Sequence, residues 1–473
     1  MAETADSGGA RARVAVVGGG TLGLYVAGLL AREADVEVLE ADLPDHAALL
    51  GDADLGAHRG ATEGWASTLG GTSTIWGGQL LPWEPWEVAG GHGRPAWEIP
   101  FAEIAPGYGR VLRDLGLPAA HARVHAEGIG GELAVPSGET LTSRYSTWMR
   151  PVHRDMSRNR AIRRALEGVP VRRHTRVRSV AREGARLAVE TVTPDGREVT
   201  GKFDAVVLAA GTLGTTRLLA TAVDGAPAAR VGEGFMDHVS YRVAEYEIGD
   251  WRRFRRLASH AYVGGVRATH KLVTTPGFAA GAGILPGYAH WELDLAPLKE
   301  DRSPAALART GWEVATAVAD GAASRRRPVP RGVRAYLRVD VEQPPQPDRR
   351  LEWSDGESPG LTLRWDASER EHESARVIGR EAAHHLEAVG IGAEPTRWLE
   401  DDPGTDTFHL MGGAAMAADP GAGVVDTWGE VWGAPGVWVA GAATFPSGGV
   451  ANPTFTALAL AARTADRILA GLR

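Results

Sequence analysis

The chain alternates between short, wholly apolar runs and longer stretches in which apolar residues recur with helical spacing. Residues 13–17, RVAVV, have the composition of a buried strand, and the following LYVAGLLARE has the apolar face of a packed helix. A second apolar run, VEVLE, ends at Glu40. This order of strand, helix and strand predicts a βαβ unit with a parallel sheet.

The turn between this first strand and its helix carries a phosphate-binding signature. It reads Gly18-Gly19-Gly20-Thr21-Leu22-Gly23, with Glu40 at the end of the next strand. Gly18 permits a tight turn, Gly20 lets the backbone approach a pyrophosphate, and Gly23 lets the helix pack closely on the strand. Free N–H groups at the start of the helix face the phosphates, and Glu40 is placed to accept hydrogen bonds from ribose hydroxyls. A 2′-phosphate would be repelled by Glu40, which disfavours NADP.

A second glycine-rich stretch, GWASTLGGTSTIWGGQ near residues 64–80, contains several hydroxyl side chains and Trp76. Such a loop can lay backbone N–H groups along a cofactor, although an ordinary surface Ω-loop has a similar composition. The following residues 82–100 contain Trp83, Trp86 and Trp97 among prolines. They form either a covering loop over a site or a stiff packed loop.

From residue 160 onwards the pattern predicts a second α/β segment. A short helix, AIRRALEG, precedes strand-like runs, and Asp195-Gly196 between two of them predicts a hairpin turn. FDAVVLAAG then predicts a buried parallel strand that ends at Ala210 and Gly211 and returns the chain to the first sheet. Backbone at Val177 is placed to meet an adenine ring.

Residues 232–400 have a different character. Alternating runs such as YRVAEYEI, AYLRVDVEQ, RLEWS and LTLRW predict strands, and helices are expected at about 303–323 and 368–390. The pattern favours a mostly antiparallel sheet with covering helices. His384 and His385 are adjacent on the second helix and therefore face different ways, which argues against a shared metal site.

The last segment returns to dinucleotide-fold character. FHLMGG places His409 in a glycine-rich turn, VWVAGA predicts a short buried strand, and FPSGGVANP places Asn452 just before a long apolar helix. Taken alone, His409 would be read as a core histidine. The N-terminus of that last helix can face partial negative charge on a bound ring.

Composition narrows the class of protein. The 473 residues are 44% hydrophobic and 23% charged, with a net charge of −8 and both signs mixed, so no nucleic-acid surface is expected. Cysteine is absent, which excludes disulfides and cysteine metal sites, and no other spacing of histidines and acids suggests a metal. Without an apolar leader or a long apolar run, the expected location is cytoplasmic, with no membrane partner.

Together these motifs resemble the glucose–methanol–choline (GMC) family of flavin-dependent oxidoreductases. The resemblance rests on VVGGGTLGLYVAGLLA, TLGGTSTIWGGQ, VGEGFMDH, VEQPPQPDRRLEW and the C-terminal FHLMGG, VVDTWGEVWGAPGVWVAGAATFP and ANPTFTALALAARTADRI. They occur in the family's order over nearly the whole chain, and the loop and ending look most like the sugar oxidase and dehydrogenase branch, which includes pyranose oxidase.

The resemblance implies an α/β fold: a Rossmann-like FAD-binding domain and a substrate domain of mainly antiparallel β-sheet plus helices. The FAD domain is expected at 1–80, 155–235 and 405–473, and the substrate domain with covering loops at 81–154 and 236–404. The expected FAD contacts are Gly18, Gly20, Thr21, Leu22, Gly23, Glu40, Ala41, Thr68, Gly70, Gly71, Thr72, Ser73, Trp76, Gly77, Gly78, Val177, Ala210, Gly211, Gly441, Ala442, Asn452, Pro453 and Thr454.

His409 and Asn452 match the family's two catalytic positions, the second being His or Asn. The implied reaction oxidises a CH–OH group of a sugar, glycoside or polyol-bearing molecule. His409 removes the hydroxyl proton, Asn452 holds the oxygen, and a hydride passes to flavin N5. The acceptor is oxygen or another electron acceptor. A flavin-containing lyase of the same fold and a dehydrogenase with a non-oxygen acceptor remain alternatives.

Two positions depart from the family pattern. Some members have a histidine, covalently bound to flavin, where this chain has Ile75, so FAD is expected to be non-covalent. The family often has aspartate where this chain has Gly441, which removes one expected acceptor for the flavin. Neither the substrate nor the oligomeric state follows from the sequence; residues that recognise the substrate are expected within 232–400 and 83–100.

Overall fold

The computed structural model describes residues 11–130, 134–297, 304–354 and 360–473. The N-terminal stretch through residue 10 and the link between RLEWS and LTLRW lie outside the described residues. The strands, in chain order, are β1 (Arg13–Val17), β2 (Asp35–Leu39), β3 (Gln79–Leu80), β4 (Leu141–Trp148), β5 (Val171–Arg172), β6 (Arg176–Glu183), β7 (Arg186–Val192), β8 (Glu198–Phe203), β9 (Ala205–Leu208), β10 (His238–Ile248), β11 (Ala261–Val263), β12 (Val266–Thr274), β13 (Gly287–Asp294), β14 (Arg334–Glu342), β15 (Arg350–Ser354), β16 (Gly360–Arg364), β17 (Ala393–Trp398), β18 (Thr405–Asp406) and β19 (Val437–Val439).

Helices occur between the strands throughout the chain, and the longest three lie in its second half. They are α1 (Thr21–Leu30), α2 (Ala47–Leu50), α3 (Gly60–Glu63), α4 (Pro85–Val88), α5 (Phe101–Asp114), α6 (Ala120–Glu127), α7 (Pro151–Arg154), α8 (Arg160–Ala165), α9 (Gly211–Thr221), α10 (Trp251–Ala258), α11 (Pro276–Ala282), α12 (Pro304–Ser324), α13 (Glu369–Ala388) and α14 (Pro453–Leu472). Short 3₁₀ turns occur at Gly71–Thr74 and Ala442–Thr444. No helix in the described ranges has the length and apolarity that crossing a bilayer requires.

A five-stranded parallel sheet carries the dinucleotide character of the sequence. Its order is β19-β9-β1-β2-β5, so β1 lies in the centre and the last strand of the chain joins at one edge. Helix α1 is buried along almost its whole length, because its apolar residues face both the sheet and α14. The predicted return of the strand before Gly211 to the first sheet is confirmed by the β1–β9 pairing.

A nine-stranded, mainly antiparallel sheet forms the second layer. Its path is β17-β10-β14-β13-β12-β4-β3, and β11 and β18 pair at its sides. Alternate residues of β10, among them Val239, Tyr241 and Val243, are buried in an apolar core that also contains Ile378 of α13. The intervening residues of β10 therefore point to the opposite face of the sheet, which is rich in polar side chains.

Two pairings in this layer differ from the simplest interpretation of the sequence. β15 and β16 pair only with each other, although their alternation resembles that of the large sheet. Conversely, β3 and β4 join the large sheet from outside residues 232–400. Alternation identifies a half-buried strand, but the neighbour of a strand depends on long-range packing. The hairpin turn at Asp195-Gly196 is present between β7 and β8.

Candidate active site

The first glycine turn has the close contacts that its sequence predicts. A Cβ atom at Gly23 would lie 1.9 Å from the carbonyl oxygen of Gly18, so the helix approaches the strand as only glycine allows. Gly18 itself has a φ of +101°, in the left-handed region that favours glycine. Gly20 is the N-cap of α1 and offers no side-chain cap, so the first N–H groups of the helix are left to a ligand.

The second glycine-rich loop packs directly against the first. The N–H of Gly70 donates to the carbonyl oxygen of Gly19 at 2.7 Å, and a Cβ at Gly71 would lie 2.7 Å from the Cα of Gly20. The hydroxyl of Ser73 donates to the Gly70 carbonyl and accepts the N–H of Met156. The sequence leaves open whether this stretch is a cofactor loop or a surface loop, and these contacts make it part of the cavity wall.

A cavity of about 540 Å³ extends from the parallel sheet to the turn that carries His409. Most of the expected cofactor contacts line it: Gly18, Gly20, Thr21, Leu22, Glu40, Ala41, Gly71, Thr72, Trp76, Val177, Ala210, Gly211, Gly441, Ala442, Pro453 and Thr454. Seven others do not: Gly23, Thr68, Gly70, Ser73, Gly77, Gly78 and Asn452. Three of these support residues of the wall: Gly23 packs against Gly18, and Gly70 and Ser73 hydrogen-bond beside Gly71.

The carboxylate of Glu40 lines this cavity and already holds the glycine turn. Its two oxygens accept the N–H groups of Gly19 at 2.7 Å and Asp42 at 2.9 Å. Burial raises the pKa of Glu40, and these two backbone hydrogen bonds partly oppose the rise. Since each oxygen has two lone pairs, Glu40 retains capacity for two further donors.

Asp237 organises the turn around His409. It is fully buried and accepts the backbone N–H of His409 at 3.0 Å, the hydroxyl of Thr407 at 2.8 Å and Nε2–H of His58 at 3.2 Å. Burial alone would raise the pKa of Asp237, but the His58 hydrogen bond and the neighbouring imidazoles outweigh it and lower the pKa. Asp237 therefore stays ionised and clamps the turn. The motif VGEGFMDH contained this residue without revealing its role.

The hydrogen bonds around His409 select one tautomer. Nε2 of His238 lies 2.6 Å from the carbonyl oxygen of Gly449, so it carries the proton and Nδ1 of His238 accepts. Nδ1 of His409 lies 2.9 Å from Nδ1 of His238 and 2.7 Å from the hydroxyl oxygen of Thr407. The Thr407 hydroxyl donates its proton to Asp237, so both of these neighbours can only accept from His409. His409 is therefore protonated on Nδ1, which leaves a lone pair on Nε2.

His409 is also held neutral. Burial lowers its pKa to about 4, and His238 contributes to the lowering, while Asp237 and Asp340 oppose it. A neutral imidazole with a free Nε2 lone pair is the form that accepts a proton from a reacting group. This form persists at neutral pH without any further residue.

Asn452 completes the pair expected from the sequence. Its Nδ2–H donates to the unprotonated Nε2 of His409 at 2.6 Å, and it is the N-cap residue of α14. Its Oδ1 is buried and has no hydrogen-bond partner among the described residues. An unpaired buried acceptor costs free energy, so its position beside the lone pair of His409 marks where a donor on a ligand would bind.

The tryptophan-rich loop supports this turn instead of lining the cavity. Trp83 and Trp97 are buried and pack edge-on around Phe445, with ring centroids 5.3 and 5.0 Å from it. Nε1 of Trp83 donates to the carbonyl of Ala451, and Nε1 of Trp97 donates to Ser447. For Trp83 and Trp97, the stiff packed loop is therefore the correct one of the two alternatives for residues 82–100. Their contacts hold the segment from Phe445 to Ala451, which leads to Asn452.

Two clusters of histidine and aspartate have ligand atoms within 4.8 Å of one another, although no sequence spacing suggested them. They are Asp237 with His238 and His409, and His58 with Asp237 and Asp406. Hydrogen bonds already occupy Asp237, both nitrogens of His238 and both nitrogens of His58. The arrangement is that of a hydrogen-bonded network, and the expectation of no metal stays a prediction.

The two departures from the family pattern also have a structural setting. Ile75 is 54% exposed and does not line the cavity, although its neighbour Trp76 does. Gly441 has extended backbone, and a Cβ there would meet only the backbone nitrogen of Ala443, at 3.9 Å. Space for a side chain is therefore present, and the missing aspartate is a chemical change without a steric cause.

The fold and this site define an α/β protein with a dinucleotide cavity beside a half-buried histidine–asparagine pair. Residues 345–461 match the family model described as GMC oxidoreductase, which confirms the predicted resemblance. The whole fold is similar to pyridoxine 4-oxidase from Mesorbium loti, at 18% identity over 96% of this chain and 99% of that chain, with a TM-score of 0.57. It is also similar to formate oxidase, at 16% identity over 98% of this chain and 99% of that chain, with a TM-score of 0.57.

Curated relatives match over shorter stretches. C-glycoside 3-oxidase of Microbacterium trichothecenolyticum is 35% identical over 23% of this chain and 21% of its own length. 2-methyl-1,2-propanediol dehydrogenase of Mycolicibacterium austroafricanum is 30% identical over 26% and 20%. The large subunit of fructose dehydrogenase of Gluconobacter japonicus is 31% identical over 31% and 27%. The matches thus span about a fifth to a quarter of these relatives' lengths.

Proposed function

We propose that this protein is an FAD-dependent oxidoreductase that oxidises a CH–OH group of a sugar, glycoside or other polyol-bearing molecule. The observation that carries the proposal is the neutral His409, whose unprotonated Nε2 accepts a hydrogen bond from Asn452 at the end of a dinucleotide cavity. The names of the relatives support the substrate class, because a C-glycoside, a propanediol and fructose all bear several hydroxyl groups.

The residues of the cavity fit FAD. The uncapped start of α1 and the glycines around it provide N–H donors and close backbone approach for a pyrophosphate, and Glu40 retains acceptor capacity for ribose hydroxyls. Helix α14 begins beside His409, and its first turn contains no acidic residue. The positive end of its dipole is therefore free to stabilise negative charge on the ring system. When bound there, FAD supplies the acceptor for the hydride of the alcohol carbon.

The chain's own residues bind the alcohol and remove its proton. Oδ1 of Asn452, which has no partner among the described residues, is placed to accept a donor of the substrate and hold it in one orientation. The substrate hydroxyl takes the place of the Asn452 N–H at Nε2 of His409, and Nε2 then accepts the hydroxyl proton. The Nδ1–H bond to Thr407 and His238 keeps the ring in the required tautomer. Ionised Asp237 stabilises the positive charge that forms on the ring.

The bound FAD is proposed to be non-covalent, since Ile75 offers no nucleophile to the flavin. The electron acceptor is molecular oxygen or another acceptor. The names of two relatives, both dehydrogenases, support the acceptor other than oxygen. The site assignments extend to Asn452, Pro453 and Thr454 at the start of α14, and the two-domain division and a cytoplasmic location remain proposals.

The decisive experiment is anaerobic mixing of the flavin-loaded protein with glucose, methyl glucoside, xylitol, cyclohexanol and benzyl alcohol. The expected result is bleaching of the flavin absorbance by at least one alcohol, and trichloroacetic acid should release free FAD into the supernatant. Readmission of air then separates an oxidase, which regains colour and forms peroxide, from a dehydrogenase. An unbleached flavin with every alcohol, together with product formation without redox change, would favour the lyase alternative instead.

A further inference from the structure

The polar face of the nine-stranded sheet carries charged and polar residues that the proposed reaction does not use. Ser240 of β10 is opposite Asp340 of β14, and Asp340 is opposite Tyr288 of β13, so these side chains share one face. His238, which contacts His409, lies two positions from Ser240 on the same strand and therefore on the same face. The proposed site thus adjoins this face of the sheet.

Lys271 of β12 is the unusual member of this face. It is 3% exposed, and its Nζ lies 3.3 Å from the centroid of the Tyr288 ring. None of its three N–H groups meets an oxygen acceptor in the part of the chain that the structure describes. A cation–π contact offsets only part of the cost of burying an ammonium group, so an oxygen acceptor is missing.

The groups around Lys271 are already paired. Arg144, its neighbour across β12–β4, donates to Glu87 at 3.1 Å. Asp340 accepts the Ser240 hydroxyl and lies 3.4 Å from Nε2 of His290. Burial alone would raise the pKa of Asp340, but His290, Lys271 and Arg338 hold it well below its ordinary value. Burial lowers the pKa of Lys271 to about 7, while ionised Asp340 opposes the lowering. Lys271 is a hydrogen-bond donor in either protonation state, which suits a neutral oxygen ligand.

Lys271 is also connected to the proposed catalytic turn. The Tyr288 ring beneath its ammonium group packs with Val450, which lies two residues before Asn452. The charge of Lys271 is felt at His409, where it lowers the pKa. His290, one position beyond the Leu272–Ala289 pair and so beside Lys271, is 28% exposed. Lys271 is therefore close enough to His409 for their charges to interact, and the partly exposed His290 lies beside it.

We propose that the ammonium group of Lys271 donates a hydrogen bond to a second oxygen of the substrate, in addition to the hydroxyl that His409 deprotonates. Lys271 is then a specificity-determining residue that selects polyols, such as sugar rings, over monohydric alcohols. This inference rests on the proposed function, because it assigns a role within the same site.

The test compares wild type with Lys271→Met on the two classes of alcohol in the panel above. Methionine keeps the unbranched apolar stem and removes the ammonium group. The kcat/KM for glucose, methyl glucoside or xylitol should fall on the order of 10- to 100-fold, the value of one hydrogen bond to a charged group. Activity on cyclohexanol and benzyl alcohol should stay within about twofold, because these lack the second oxygen.

Lys202→Met is the matched control, since Lys202 lies on β8 with a 56% exposed side chain paired to Glu183. It should leave both activities unchanged. The thermal midpoint of Lys271→Met should equal or exceed that of wild type, because a buried ammonium without an acceptor is removed.

Each remaining outcome decides between the two proposals. An unchanged ratio of polyol to monohydric activity in Lys271→Met refutes the role of Lys271, and so does an equal loss on both classes with a lower thermal midpoint. A wild type that bleaches only with monohydric alcohols also refutes it, together with the proposed polyol substrate class, while FAD-dependent oxidation of a CH–OH group stands. A wild type that bleaches with no alcohol refutes the proposed function itself.

Discussion

Replacing His409 with alanine removes the proposed proton acceptor. Among its neighbours, Asn452 and Thr407 have no basic lone pair, and Asp237 is fully buried with its oxygens occupied by N–H and O–H donors. His238 contacts Nδ1 of His409 and not Nε2, the nitrogen proposed to accept the proton. General-base catalysis is worth roughly 10²- to 10⁴-fold, so the rate of flavin bleaching should fall about 10³-fold, equivalent to about 4 kcal/mol.

The assay is the anaerobic rate of bleaching under saturating alcohol, measured together with the flavin content of the purified protein. The FAD content should stay near that of wild type, because His409 makes no hydrogen bond, among the described residues, with the glycine turn and Glu40 that line the dinucleotide end of the cavity. His384→Ala is the control, since His384 is an exposed histidine on α13. Added imidazole should restore part of the activity of His409→Ala, because the substitution leaves a space the size of an imidazole ring beside Asn452.

Two results would refute this reasoning. Bleaching by His409→Ala at a rate within tenfold of wild type would show that another group accepts the proton. Loss of FAD in parallel with loss of activity would show that the side chain of His409 supports the cavity, and that the rate effect is not catalytic.

Three other predictions follow from single features of the structure. Asn452→Ala should keep FAD but lower kcat by on the order of 10²-fold, because the unpaired Oδ1 that orients the alcohol is removed; normal turnover in stopped-flow bleaching would contradict it. Gly23→Ala should lower the urea midpoint and FAD retention, costing roughly 1–3 kcal/mol or more, since its Cβ would lie 1.9 Å from the Gly18 oxygen. Gly109→Ala on α5 is its control and should be neutral or stabilising, as its Cβ would meet only the end of Arg113 at 3.5 Å. The free energy of unfolding should fall as the pH drops from about 6.5 towards 4, because burial lowers the pKa values of several histidines below 6.5 in the folded protein. In this pH range the unfolded chain binds more protons than the folded protein does. Each histidine therefore lowers the free energy of unfolding by up to about 1.4 kcal/mol per pH unit. A urea midpoint that is flat across this window would contradict it; the histidines concerned are His409, His121, His125, His260 and His270.

Much of the dinucleotide half was predictable from local pattern. The glycine turn at Gly18, the helix after it and Glu40 at the end of β2 are adjacent in sequence, so spacing alone defines their contacts. The closing strand β19 and helix α14 were also predictable, because apolar runs of this length need a core on every side. His409 and Asn452 were found only through the family motif, since a lone histidine and asparagine carry no such local signal.

The environment of that pair could not be predicted from the sequence. The tautomer of His409 is set because Asp237 and His238, more than 160 residues earlier in the chain, are brought against it. Which nitrogen is free depends on a carbonyl at Gly449 and a hydroxyl at Thr407, and only three-dimensional contacts specify such a chain of donors and acceptors.

By itself, then, the sequence determined the two classes of layer and the nucleotide turn, because each depends on periodicity or short spacing. It indicated the two candidate catalytic positions through the resemblance of their motifs to a known family. The tertiary structure decided which strands pair, which loop supports the Asn452 turn, and which proton state His409 adopts. It also brought the unpaired ammonium of Lys271 onto the sheet face beside the proposed site. These features depend on burial and on partners distant in the chain, and desolvation and hydrogen bonding act only after the two ends of the chain have met.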